Sequence, residues 1–363
     1  MLDLARLNIC FIAGTLGQGG AEQQLFYILR ALRQSGASLS LLCLTRGDIW
    51  EERIKELGVP VVWIGRHGSR ALRLARMIKE LRKNPPDILQ SQHFFTNLYA
   101  VAAARAIKAH EVGAMRNDGI GEVSATGAVL GRMSLRLPHL IAANSQAAIE
   151  NAIKLGVPTA RLHHLPNVVD TERFKPGDRE SERTIRLIAV GRLVKAKRFD
   201  RFISVVARAG QATQVKFKAV IVGDGPERAR LEQQATELGL LPDTIEFKGP
   251  QTEMASIYRD ADILVLTSDR EGTPNVVLEA MASGLPVVAT RVGGIPQVVE
   301  DERSGYVANP DDEERLTTSL LKLICDRRLR IRMGCRARDY VESHYSLNRL
   351  PNMLAGLYEV ALS

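Results

Sequence analysis

Short, unbroken apolar runs recur along this chain, each ending in a small-residue loop and most followed by a stretch of helical periodicity. The first, LNICFIAG, reaches Gly14. After a loop to Gly20 comes AEQQLFYILRALRQSG, with Leu25, Ile28, Leu29 and Leu32 on one helical face and Gly36 as its stop. LSLLCLT, VPVVWIG, DILQSQ, EVGAMRN and LIAANS continue the series. A strand that is apolar throughout is covered on both faces, and strands alternating with helices are joined by crossovers. The pattern therefore specifies a parallel sheet with helices on both sides. The rhythm breaks at the polar stretch KPGDRESER, then restarts as IRLIAVG, VKFKAVIVG, IEFKG, ADILVLTS and LPVVATR. The 363 residues thus divide into two doubly wound α/β domains of ordinary size. The expected boundaries are 1–170 for the first, 171–184 for a linker, 185–345 for the second and 346–363 for a terminal helix. That helix carries Leu350, Leu354, Leu357 and Tyr358 along one side.

Composition removes several other classes. A charged fraction of 25% is that of a globular chain, and no apolar run approaches the ~20 residues that span a bilayer. The opening MLDLARLNICFIAG has no basic region and no small-residue cleavage site, so it reads as a strand and not as a signal peptide. The cysteines, Cys10, Cys43, Cys325 and Cys335, are scattered without a CxxC pair, which excludes a zinc ribbon or disulfide scaffold and suits a reducing cytoplasm.

The net charge of +8 is unevenly placed. Residues 1–170 hold 20 basic and 13 acidic side chains, whereas residues 171–363 hold 29 and 28. Most of the excess lies in residues 66–83, where Arg66, Arg70, Arg73, Arg76, Lys79, Arg82 and Lys83 face one acid, Glu80. Ala71, Leu74, Ala75, Ile78 and Leu81 share one helical face there, so the segment is an amphipathic helix. It is either a solvated charged face or a contact for an anionic membrane. Nucleic acid is not expected, because no aromatic residues interleave the cations.

The most specific chemical motif is EGTPNVVLE, with Glu271 after the strand ADILVLTS and Glu279 one turn inside the next helix. Gly272, Thr273, Pro274 and Asn275 form the start of that helix, where backbone N–H groups and the helix dipole suit an electron-rich ligand such as phosphate. A carboxylate just inside a helix also grips the two hydroxyls of a ribose, although acids favour helix N-termini in any case. A second motif is VGRL, with Arg192 directly after a strand and Lys197 near the next helix. Two fixed cations at that place stabilise a diphosphate as charge builds on it. The third is VGDGP, whose Gly223 and Gly225 allow a tight turn and close approach of backbone to a ligand. The glycines from Gly14 to Gly20 do not make a dinucleotide fingerprint, since the third required glycine falls on Glu22.

Together these motifs resemble the retaining family 4 glycosyltransferases. The likeness extends to the Gly19-Gly20-Ala21-Glu22 loop, to Pro166-Asn167 with Asp170, to EAMASGLPVVAT after Glu279 and to GGIPQVVED. It implies the GT-B fold: two Rossmann-like domains facing across a cleft, acceptor side first and donor side second, with the C-terminal helix crossing back to the first. By the resemblance, Arg192 and Lys197 hold the donor diphosphate, Glu279 the ribose, and Glu271 the donor-sugar hydroxyls beside the reacting carbon. Gly272, Thr273, Pro274 and Asn275 supply backbone to sugar and phosphate, and Gly223 and Gly225 line the same donor site. His93 matches a common family histidine, with Gly19 and Gly20 on the same acceptor or sugar side. Where many members carry a histidine after the fifth strand, this chain reads Met115-Arg116-Asn117-Asp118, so Asn117 or Asp118 is expected to meet the donor-sugar edge.

The expected activity is a retaining, metal-independent sugar transfer from a nucleotide-sugar, UDP-linked first and GDP-mannose second. The expected acceptor is a glycan or lipid-linked precursor of cell-surface polysaccharide, lipopolysaccharide or glycolipid. No cofactor is expected, and the place of work is the cytoplasm, peripherally at the inner face of the plasma membrane. An epimerase or hydrolase on the same scaffold differs in needing no acceptor. A non-catalytic sensor has no need of the two leaving-group cations.

Overall fold

In the computed structural model, which describes residues 2–65, 68–177 and 184–363, the apolar runs form two wholly parallel sheets. The first contains β1 (Asn8–Ala13), β2 (Ser38–Cys43), β3 (Val61–Trp63), β4 (Ile88–Ser91), β5 (His110–Met115), β6 (Leu140–Ala143) and β7 (Leu162–His164), in the order β3-β2-β1-β4-β5-β6-β7. The second contains β8 (Ile185–Val190), β9 (Phe217–Val222), β10 (Ile245–Gly249), β11 (Ile263–Leu266), β12 (Val287–Thr290) and β13 (Gly305–Ala308), in the order β10-β9-β8-β11-β12-β13. These are the two Rossmann-like sheets that the resemblance implied. Two strands have no counterpart among the expected ones: β7 and β13, of three and four residues, each at a sheet edge. An edge strand pairs on one side only and needs no long apolar run, and β7 carries two histidines.

Each sheet reverses its strand order once, between β1 and β4 and between β8 and β11. Loops leaving the carboxyl ends of such neighbours run in opposite directions and leave a crevice between them, the usual place for a ligand in open α/β sheets. The loops after β1 and β4 carry Gly19, Gly20 and His93. Those after β8 and β11 carry Arg192, Lys197 and Glu271.

Residues up to Val168, together with Leu347–Ser363, form one unit, and Val169–Ser346 form the other. In the first unit alternate strand residues face opposite ways. Ile9, Phe11, Leu41 and Ile88 pack with Leu25, Leu29 and Leu32 of the helix Gly20–Gln34. The same core takes in Leu350, Leu354, Leu357 and Tyr358 from the terminal helix Leu350–Leu362. Cys10, Ile12 and Leu89 face the other way, toward Met77 and Leu81 of the helix Arg70–Leu81. Gly36 (φ +86°) ends the helix Gly20–Gln34, and the Ala37 N–H reaches back 3.1 Å to the Leu32 carbonyl. Among the described residues no helix is long and apolar enough to cross a membrane.

The linker falls differently from the expected 171–184. The Val169 N–H donates to the Tyr345 carbonyl at 2.9 Å, and Phe174, 1% exposed, packs edge-on against Tyr258. Residues 169–177 therefore belong to the second unit, anchored by two apolar side chains that the polar composition of the stretch conceals. The rest of the expected linker, 178–183, lies outside the described residues.

Candidate active site

In the second unit the chain leaves β8 through Gly191 (φ +155°), makes a single turn at Lys195–Lys197, and enters the helix Phe199–Ala212 at Arg198, itself left-handed (φ +50°). This path brings the Lys197 ammonium to 2.6 Å from Glu271 Oε1, where the Ser268 hydroxyl also donates at 2.6 Å. Glu271 is 6% exposed, and those two donors satisfy its Oε1 in place of water. The loops are held together behind this pair. Asp269 donates its N–H to the Ala196 carbonyl at 2.9 Å, and the Thr267 hydroxyl donates to the Arg198 carbonyl at 2.8 Å. Arg201, 4% exposed, donates to the Thr267 carbonyl at 2.7 Å and to Asp269 Oδ1 at 3.0 Å. Arg192 lies on the same loop as Lys197 but stands exposed, with no acceptor among the described residues.

Glu279 lies in the helix Asn275–Ala282, 6% exposed, and its Oε2 accepts the hydroxyl of the fully buried Tyr258 at 3.1 Å. Burial and the Glu279 charge hold the Tyr258 phenol well above its ordinary pKa, so it remains a donor. Gly272, Thr273 and Pro274 are buried, and Pro274, at the N-cap, offers no side-chain acceptor to the first turn. The loop after β12 backs this segment: the Gly294 N–H donates to the Gly272 carbonyl at 2.8 Å, and Gly293 (φ +54°) lies so close that a Cβ would sit 1.8 Å from the Glu271 carbonyl.

Gly223 and Gly225 admit neighbouring backbone at close range. A Cβ on Gly223 (φ +135°) would meet the Gly191 carbonyl at 2.0 Å, and one on Gly225 the Leu193 carbonyl at 2.5 Å. Their missing side chains admit the backbone on either side of Arg192, and the Leu193 N–H bonds the Asp224 carbonyl at 2.9 Å.

In the first unit the Gly14 N–H donates to His93 Nδ1 at 3.1 Å, which leaves Nε2 to carry the proton toward Glu22 Oε1 at 3.2 Å. Both ring nitrogens are thus engaged within the fold, and the ring stacks on Phe95. Gly19 is the N-cap of the helix that Gly20 begins, and a Cβ on Gly19 would meet the Glu22 carboxylate at 2.2 Å. Gly19 and His93 are therefore brought together through Glu22. Asn117 and Asp118 form a local turn: Asn117 Oδ1 accepts the Asp118 N–H at 2.9 Å, and Asp118 Oδ1 the Gly121 N–H at 2.7 Å. Each side chain thus commits one oxygen to the turn.

Three residues of these arrangements have no place among the sequence expectations: Ser268 and Arg201 behind Glu271, and Tyr258 behind Glu279. Of these, Ser268 alone has a signal, being in the small polar loop that ends ADILVLTS, while Glu22 belongs to the quoted glycine-loop motif but its pairing with His93 has no sequence signature.

Two family models match the chain in succession: "Glycosyltransferase Family 4" over residues 18–173 and "Glycosyl transferases group 1" over residues 170–340. Among curated relatives, the N-acetyl-alpha-D-glucosaminyl L-malate synthase of Bacillus anthracis is 28% identical over 237 residues, 62% of this chain and 61% of that protein. The lipopolysaccharide core biosynthesis glycosyltransferase LpsD of Rhizobium meliloti is 24% identical over 344 residues, 94% of this chain and 95% of that one. In seven further comparisons with curated relatives, the Bacillus protein among them, the aligned stretch spans only 38% to 65% of the relative's own length. The crystal structure of Anabaena Alr3699/HepE in complex with UDP and glucose superposes with a TM-score of 0.85 and 20% identity, covering 98% of this chain and 100% of that one.

Proposed function

This chain belongs to the family 4-like glycosyltransferases, and from that membership we propose that it transfers a sugar from a nucleotide-sugar, UDP-linked first and GDP-mannose second, to a glycan or lipid-linked acceptor. Transfer retains the anomeric configuration and needs no metal. The observation that carries this reading is the Lys197–Glu271 contact at the strand-order reversal of the second sheet, with Arg192 on the same loop. Arg192 and Lys197 take the diphosphate, whose charge peaks as the sugar–phosphate bond breaks. Glu271 accepts hydroxyls of the donor sugar, and Glu279 accepts those of the ribose. The acceptor hydroxyl attacks on the leaving-group face, the new glycosidic bond forms as the bond to phosphate breaks, and the hydroxyl proton passes to the departing phosphate. Positioning and charge stabilisation then supply the catalysis without a protein base. The UDP and glucose named for the Anabaena structure support the donor class, and the Rhizobium relative supports a cell-surface glycan as product. A thermal-shift screen of nucleotide-sugars, with and without chelator, tests the reading.

The same proposal includes contact with an anionic membrane through the helix Arg70–Leu81. Trp63 and Leu72 are exposed beside its basic face. Arg73 donates to the Tyr99 hydroxyl at 2.7 Å, Arg76 to the Ile64 carbonyl, and Lys83 pairs with Glu80, while Arg66 lies outside the described residues. Arg70, Lys79 and Arg82 are left for headgroups. Changing these three to Gln is expected to weaken binding to anionic vesicles about tenfold to a hundredfold at low salt, with donor affinity unchanged. Undiminished vesicle binding in a flotation assay returns the helix to a solvated face.

A further inference from the structure

Arg116 follows β5 directly, and two of its guanidinium nitrogens, Nε and Nη2, are shielded from solvent without an acceptor among the described residues. Those two nitrogens form one edge of the guanidinium, with parallel N–H bonds spaced for two oxygens of a single oxyanion. The nearest acid does not fill the place. Glu122 Oε1 accepts the Arg116 backbone N–H at 3.2 Å, its Oε2 is shielded and unpartnered, and no ion pair joins the two side chains among the described residues. Burial accordingly pulls Arg116 down to about 10 and pushes Glu122 up to about 7. Gln90 gives no acceptor either: its Oε1 takes the Tyr358 hydroxyl at 2.7 Å, and its Nε2 is a further donor without a partner. Arg116 is half-buried as a residue, but this edge is shielded, and shielded charged donors without an acceptor cost free energy that a bound oxyanion recovers.

Glu122 belongs to the helix Ile120–Thr126, which lies between Gly119 (φ +79°) and Gly127 (φ +93°) and buries none of its residues fully, although Val123 packs against the Met115 core. We propose that Arg116 is an oxyanion-binding residue of the first unit, its Nε–Nη2 edge receiving two oxygens of a phosphate or carboxylate group carried by the acceptor. The assignment to the acceptor rests on the transferase reading; the oxyanion site itself does not.

The test is calorimetric titration of inorganic phosphate and, separately, of acetate into the wild-type protein with excess UDP present, and into Arg116→Gln and Arg116→Lys. The excess UDP occupies the diphosphate cations of the second unit. One of the two anions is expected to bind with a stoichiometry of one, at least tenfold more weakly in Arg116→Gln and less so in Arg116→Lys. Phosphate binding alone assigns a phosphorylated acceptor, acetate binding alone a carboxylated one. Thermal melting supplies the second readout: Arg116→Gln removes a charge whose shielded edge has no acceptor in the chain and is expected to melt at or above the wild-type temperature. An anion affinity unchanged in Arg116→Gln, no anion binding to the wild type, or a lower melting temperature for Arg116→Gln overturns the proposal and leaves Arg116 a structural residue enclosing water. Wild-type protein that fails to bind UDP contradicts the transferase reading instead, and the anion titrations are then read by themselves.

Discussion

Changing Lys197 to alanine is expected to lower turnover by about 10²–10³-fold, the usual loss when one fixed donor to developing charge is removed. The change has a second consequence that the 2.6 Å contact with Glu271 makes specific. Glu271 is left buried with the Ser268 hydroxyl as its remaining donor, and a buried pair that loses one partner destabilises a protein by about 3–5 kcal/mol. Lys197 is partly exposed, so the lower end of that range is expected. Pairing Lys197→Ala with Glu271→Gln separates the two effects: the double variant removes the uncompensated charge and recovers stability while turnover stays low. Denaturant melts and initial rates on the single and double variants check both halves. Recovery of turnover along with stability contradicts a role for Lys197 at the leaving group.

The second large effect is at Glu279, and the informative change is to glutamine. Alanine leaves the buried Tyr258 hydroxyl without its acceptor, at a cost of about 1–3 kcal/mol, so weaker donor binding in that variant mixes unfolding with recognition. Glutamine keeps a carbonyl oxygen for Tyr258 and removes the charge that a ribose diol binds. Loss of a hydrogen bond to a charged group is worth about 1.5–3 kcal/mol, so UDP is expected to bind roughly ten- to a hundredfold more weakly to Glu279→Gln. Its melting temperature is expected to change by no more than a degree or two. Unchanged UDP affinity by calorimetry removes Glu279 from the ribose.

Strand identity was legible where one signal sufficed, in the long apolar runs of β1, β8 and β11. The strands β7 and β13 were not, being three residues with two histidines and four residues outside any longer apolar run. The site shows the same division. Glu271, Glu279, Arg192 and Lys197 stand out by type and spacing, but the pairing of Lys197 with Glu271 joins residues 74 apart. That pairing depends on β8 lying beside β11, and strand order is a tertiary property with no local signature. Likewise Gly223 and Gly225 read as turn residues, and their close packing on the backbone at Gly191 and Leu193 becomes visible only once β8 and β9 are adjacent. In the first unit the sequence directs attention to Asn117 and Asp118, the residues best able to meet a sugar hydroxyl. Short polar side chains after a strand also close turns on themselves, and both do so here, next to Arg116 with its two unmatched donors.

The central claim is that the second unit holds a nucleotide-sugar by its diphosphate and ribose without help from a metal. The most direct measurement is thermal unfolding of the wild-type protein against a panel of nucleotide-sugars, each with and without chelator. A ligand at a hundred times its dissociation constant stabilises the native state by about 2.7 kcal/mol. For units of this size that is an upward shift of roughly 5–10 °C. The account predicts such a shift with a UDP-sugar, of equal size in the presence of chelator. A panel in which no nucleotide-sugar raises the melting temperature, or in which every shift disappears with chelator, contradicts it.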